Sequence, residues 1–146
     1  MVKFKPKART AARKLALQAL YQWQITKQDI AIIEMQLLED PDRLIIQSLN
    51  KIDIPYFKQL VNGIYQRFTE LDTAYTPLLD RNFNQLDPIE LAILRIGCYE
   101  LKYCQDIPFK VAINESVELA KSFGAEQSHK YINSILDKLA KQFAKK

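Results

Sequence analysis

The only histidine, His129, directly follows Ser128. A hydroxyl beside an imidazole could support nucleophilic catalysis if both side chains converged on one reacting atom. Adjacent helical positions point about 100° apart, and this pair sits where the last helix should start, so it does not read as a nucleophile with its base. Glu115 and Glu118 lie three apart, the spacing of one helix face; a solvated face carries that pattern more often than an acid–base pair does. There is no G-x-S-x-G turn, phosphate-binding glycine loop or dinucleotide fingerprint. Cys98 and Cys104 are six apart with no C-x-x-C, and one histidine cannot complete a zinc set with them. These residues argue against an enzyme, a metal site and a cofactor.

Basic and aromatic residues fit a different chemistry. Lys3, Lys5, Lys7, Arg9, Arg13, Lys14 and Lys27 all precede the first acid of the chain. From Asp29 to Glu90 there are eleven acidic residues against five basic ones, and the end turns basic again at Lys138, Lys141, Lys145 and Lys146. A formal net charge of +4 therefore hides a dipolar chain, which suits a polyanion at one end. A solvated terminal arm would show the same run. Farther on, Phe123, Gly124, Gln127, His129, Lys130 and Tyr131 place two rings and a lysine around a turn. Unpaired bases can stack on rings while lysine meets phosphate, so such a corner suits single-stranded RNA; rings that merely cap a core would look alike.

The elements that must position these residues read as helices. The 146 residues are 48% hydrophobic and 26% charged, the size of one ordinary domain with enough apolar surface to fold unaided. Glycine is scarce, with 3 residues, which disfavours a many-turned β architecture. No apolar run approaches the ~18 residues of a membrane span, the basic N-terminus does not continue as a secretory signal, and the thiols fit a reducing cytoplasm. Residues 1–7 read as a basic, flexible arm. Residues 8–26 form a helix with Ala12, Leu15, Ala16, Ala19 and Trp23 as its buried stripe, and Thr10, Arg13, Lys14, Gln18 and Tyr21 on another face. Asp29 caps a second helix that Pro41 stops. Residues 42–50 are a short helix or a continuation after a kink. A helix from Asp53 to about residue 70 buries Phe57, Leu60, Val61, Ile64 and Phe68, and 71–82 should form a further helix in which Pro77 marks a start or a kink.

Asp87, Pro88 and Glu90 are the best-defined start: a cap, a proline at the first position, and a glutamate able to reach back. That helix should run to about Cys104. Pro108 opens the next, with Val111 or Ala112, Val117, Leu119 and Ala120 inward and Gly124 as a left-handed stop. A last helix from about 126–128 buries Ile132, Ile135, Leu136 and Leu139. The class is all-α, with about seven helices packed as one compact bundle or two small ones.

Ala12-Arg13 through Leu20-Tyr21-Gln22-Trp23 resembles the opening helix of the NusB family of bacterial transcription antitermination factors. Leu94-Arg95-Ile96, Tyr99-Glu100-Leu101, the run Pro108 to Glu115, Glu118 to Lys121, Ser122-Phe123-Gly124, Tyr131-Ile132-Asn133 and Leu136-Asp137-Lys138 are similar to that family's motifs in order and spacing. The resemblance spans essentially the whole chain, weakly over 27–86 and very specifically from Pro108 to Lys138.

The resemblance implies two three-helix sub-bundles within a single compact domain over residues 1–146. It implies binding to boxA single-stranded RNA together with NusE, a small-subunit ribosomal protein, in the antitermination complex on RNA polymerase, notably over ribosomal RNA operons. The family's RNA contacts fall on Lys7, Arg9 and Arg13, and on Phe123, Gln127, Lys130 and Tyr131. Thr10 and Ala11 stand where many members carry arginine, and Gln127 stands where an acid is common. The NusE face falls on Tyr21 and Glu90, the latter taken as an exposed charge although it is also a good capping residue. Family members include monomers and homodimers. Two other readings remain: a helical adaptor that binds only protein, and a stand-alone relative of the N-terminal domain of a ribosomal RNA cytosine methyltransferase. The basic arm with the aromatic corner separates RNA binding from the adaptor.

Overall fold

A computed structural model describes residues 6–40 and 51–144; Lys3 and Lys5, and the undecided stretch 42–50, lie outside the described residues. Among the described residues there are six α-helices, two 3-10 turns and no strand. The chain divides into two compact units, residues 1–65 and 66–146.

The first unit holds α1 (Pro6–Thr26), α2 (Ile30–Glu39) and the opening turns of α3 (Ile54–Tyr75). Pro6 and Lys7, expected in the arm, already belong to α1. Ala12, Leu15, Ala16 and Ala19 are fully buried, as the 3.6-residue stripe requires. Lys27 ends α1 in the left-handed region with φ 62°, and its N–H donates to the Trp23 carbonyl at 2.9 Å. Asp29 then caps α2 by accepting from the Ala31 N–H at 2.9 Å, and α2 ends before the residue that precedes Pro41. Asp53 caps α3 in the same way, accepting from the Tyr56 N–H at 3.0 Å.

The second unit holds the rest of α3 with α4 (Pro88–Tyr103), α5 (Phe109–Phe123) and α6 (Ser128–Ala144). The separate helix expected over 71–82 is absent. α3 continues to Tyr75 because no breaker intervenes and because Leu71 and Tyr75, at i and i+4, are both fully buried. Pro77 sits in the 3-10 turn Thr76–Leu78, where a missing N–H does no harm. Arg95, 5% exposed, grips Asp72 of α3 through Nε at 3.0 Å and Nη2 at 2.8 Å.

α4 is the central helix of this unit, buried from Ala92 to Leu101. It can approach α5 and α6 because Gly97 has no Cβ: one would lie 2.6 Å from Leu136 Cδ1 and 2.8 Å from Ser116 Oγ. Along α5 the buried residues are Ala112, Ile113, Ser116, Leu119 and Ala120; Val117, expected inward, is half-buried.

Candidate nucleic-acid interface

On α1, Lys7 is exposed and Arg9 is partly covered. The Arg9 guanidinium lies 4.4 Å from the Tyr56 ring centre, and its Nε is 3.9 Å from Asp53 Oδ2. The carboxylate that caps α3 thus also orders the arginine. Arg13 departs from expectation. Periodicity assigns it to a polar face, yet it is only 2% exposed, with its guanidinium 5.6 Å from the same ring. Tyr56, from α3, supplies the lid that the α1 pattern cannot reveal. Lys7 and Arg9 are therefore the outward members of this trio, and Arg13 stands behind them.

The second group surrounds the turn between α5 and α6. Gly124 is not the left-handed stop: it is extended at φ −86°, ψ 171°. Its role is steric, since a Cβ there would meet the Ala120 carbonyl at 2.8 Å and Ser128 Cβ at 3.1 Å. The left-handed residue is Gln127, at φ 73°, a conformation costing a non-glycine residue about 1–2 kcal/mol. Its side chain is exposed, as is that of Lys130, whose N–H donates to the Gln127 carbonyl at 3.1 Å. Phe123 is half-buried, with one part in the core and one in solvent.

Tyr131 is also half-buried, but one face of its ring is taken. The Arg81 guanidinium lies 4.1 Å from the ring centre, and the hydroxyl is buried with the Asp80 carboxylate beside it. Burial, followed by the charge of Asp80, holds that phenol above its ordinary pKa. Arg81 also makes ion pairs with Asp80 at 3.1 Å and Glu90 at 3.7 Å. Sequence reasoning missed Asp80 and Arg81, because reading 71–82 as a helix gave them no reason to face the last helix.

Of the two residues assigned to a protein partner, Tyr21 is 40% exposed and Ile25, one turn on, 54%. They leave apolar surface uncovered on α1. Glu90 is not the exposed charge expected: it is 5% exposed. Its N–H donates to Asp87 Oδ1 at 2.8 Å, and its Oε1 accepts from the Asp87 N–H at 3.4 Å, closing the capping box. Its Oε2 accepts from Ser128 at 3.0 Å. Burial follows from the two helix starts meeting at this carboxylate.

The same bond settles the Ser128–His129 pair: the hydroxyl is buried and committed to Glu90. Glu118 faces solvent and pairs with Lys121 at 3.6 Å. Cys98 and Cys104 are buried free thiols. No cluster of three or more metal-ligating side chains occurs among the described residues, and no described helix is long and apolar enough to cross a membrane.

Comparison with known proteins identifies the family and the fold. Residues 10–141 match the family model described as the NusB family. Transcription antitermination protein NusB of Pseudoalteromonas translucida is 52% identical over 141 residues, covering 97% of this chain and 99% of that protein. The solved structure of T. maritima NusB superposes with a TM-score of 0.80 at 27% identity, covering 99% of this chain and 95% of that one. A structure of antitermination factors NusB and NusE in complex with dsRNA shares the fold, with a TM-score of 0.78 at 22% identity over 91% of this chain and 96% of that one.

Proposed function

The chain belongs to the NusB family, and from that premise we propose that it binds single-stranded boxA RNA together with the ribosomal protein NusE, in the cytoplasm, as part of the antitermination complex on RNA polymerase. Its role is transcription antitermination, and it is a binding factor rather than an enzyme. The proposed RNA contacts are Lys7 and Arg9 on the first unit and Phe123, Gln127, Lys130 and Tyr131 on the second. Arg13, buried under Tyr56, contributes from behind by keeping its positive charge beside Arg9. Tyr21 is the proposed NusE contact. Glu90 contributes by holding the starts of α4 and α6 together.

The observation that carries the RNA reading is the α5–α6 corner. A half-buried ring, a strained and exposed Gln127 and an exposed lysine converge on a turn of three exposed residues, 125–127. Strain of this kind persists where surrounding structure imposes it and concentrates at ligand sites. Without an acid at position 127, phosphate meets no repulsion from that side chain. The experiment is a fluorescence titration of a labelled boxA-like single strand, with and without purified NusE, against the matching duplex and an unrelated strand. The single strand should bind, and bind more tightly with NusE. Binding of NusE without any RNA binding would leave a protein adaptor instead.

A further inference from the structure

Resting on the RNA-binding reading above, we propose that Asp80 and Arg81 form a gate beside Tyr131: Arg81 is a phosphate contact held ready, and Asp80 is the internal competitor that RNA displaces. Both residues lie between the 3-10 turns Thr76–Leu78 and Phe83–Gln85. The Arg81 guanidinium has three neighbours with different freedom to leave. Tyr131 lies beneath it at 4.1 Å and fixes its plane. Glu90, with its side chain 7% exposed, faces Nη1 at 3.7 Å and is locked into the α4 capping box. Asp80, 69% exposed, receives the hydrogen bond from Nε at 3.1 Å.

Two of these contacts are built in and the third lies at the surface, where Asp80 also approaches the Tyr131 hydroxyl. The stack on Tyr131 and the charge of Glu90 keep the guanidinium in place whether or not Asp80 is engaged. The Nε side, which Asp80 covers, is part of the planar fork that takes oxyanions bidentately. A carboxylate bound there imitates a phosphate. An exposed ion pair contributes little in water and is screened by salt, so a phosphate already brought close by Lys130 can replace it. The outer face of the guanidinium also offers a plane for an unstacked base. Arg81 thus adds to the corner a charge that the N-terminal helix lacks at Thr10 and Ala11. Asp80 sets how much of that charge is available, as an acid at position 127 would.

The test measures affinity for a boxA-like single strand across a salt series, with melting followed on the same samples, for the parent, Asp80→Asn, Arg81→Ala, Arg81→Lys and Asp80→Asn with Arg81→Ala. The gate predicts that Asp80→Asn binds about two- to fivefold more tightly, the scale of an exposed pair. Arg81→Ala should bind more weakly and flatten the slope of log K against log salt by about 0.7, one phosphate contact. Arg81→Lys should restore the slope without all of the affinity, because lysine lacks the planar fork. The gain from Asp80→Asn should vanish in the Arg81→Ala background. An Asp80→Asn protein that binds no better, or gains equally without Arg81, overturns the gate. So does an unchanged salt slope in Arg81→Ala, whatever its melting. A parent protein that binds no RNA overturns the underlying reading instead, and the gate with it.

Discussion

Ser128 Oγ, on the first residue of α6, donates a 3.0 Å hydrogen bond to Oε2 of Glu90, the third residue of α4. One buried carboxylate therefore joins two helix starts, while its other oxygen closes the Asp87 capping box and faces Arg81. The corner that carries Lys130 and Tyr131 is held to α4 through this contact.

Replacement of Glu90 by lysine removes the box and the Ser128 acceptor, and sets a second cation beside Arg81. Glu90→Lys should lose about 2–4 kcal/mol of stability, the scale of breaking a buried, hydrogen-bonded charge. Thermal melting by circular dichroism measures this directly. An unchanged melting temperature would show that the carboxylate is not structural. Any loss of NusE affinity must be measured on protein shown to be folded.

The capping box was legible because all its parts lie within four residues: Asp87, Pro88 and Glu90 announce a start whatever surrounds them. The stripes of α1 and α3 were legible for the same reason, since periodicity is local, except at their far members Trp23 and Phe68, which are only half-buried. The length of α3 was not, because the stripe reads only to about residue 70, while Leu71 and Tyr75, which continue it, read as part of a separate helix. Gly124 was marked correctly as the end of α5 but for the wrong property: close approach to Ala120 and Ser128 requires it, while Gln127 takes the positive φ. Arg13 and Arg81 were misread or missed because their partners, Tyr56 and Tyr131, come from distant parts of the chain. No helical wheel of one segment contains a lid supplied by another.

Cys98 is fully buried, and burial pushes its thiol from an ordinary 9.0 up to about 12. The folded state keeps a proton that the unfolded chain gives up, so this stabilising difference is intact below pH 9 and is lost as pH rises from 9 towards 12. Stability should fall on the alkaline side over that window. Cys98→Ala should lower stability at pH 7 yet flatten the first part of the alkaline decline. Urea unfolding at pH 7, 9 and 10 tests this, and an identical decline in both proteins would exclude Cys98 as its source.

Tyr131 separates platform from contact. Its buried hydroxyl lies against Asp80, so Tyr131→Phe should change stability by no more than about 1 kcal/mol and should keep RNA affinity within twofold. Tyr131→Ala removes the surface on which Arg81 lies. It should cost about 2–3 kcal/mol of stability, less than a fully buried ring, and weaken RNA binding by folded protein about fivefold or more, the lower end of one lost stack. Equal losses in the two variants would make the hydroxyl the contact and contradict the platform.

The most direct test of RNA recognition is the salt dependence of binding to a boxA-like single strand. The proposed contacts Lys7, Arg9, Lys130 and Arg81 carry four positive charges, and each phosphate neutralised would contribute about −0.7 to the slope of log K against log salt. The account predicts a slope of about −2 to −3, with the single strand bound more tightly than its duplex. A slope near zero, or no binding of the single strand at low salt, would contradict it.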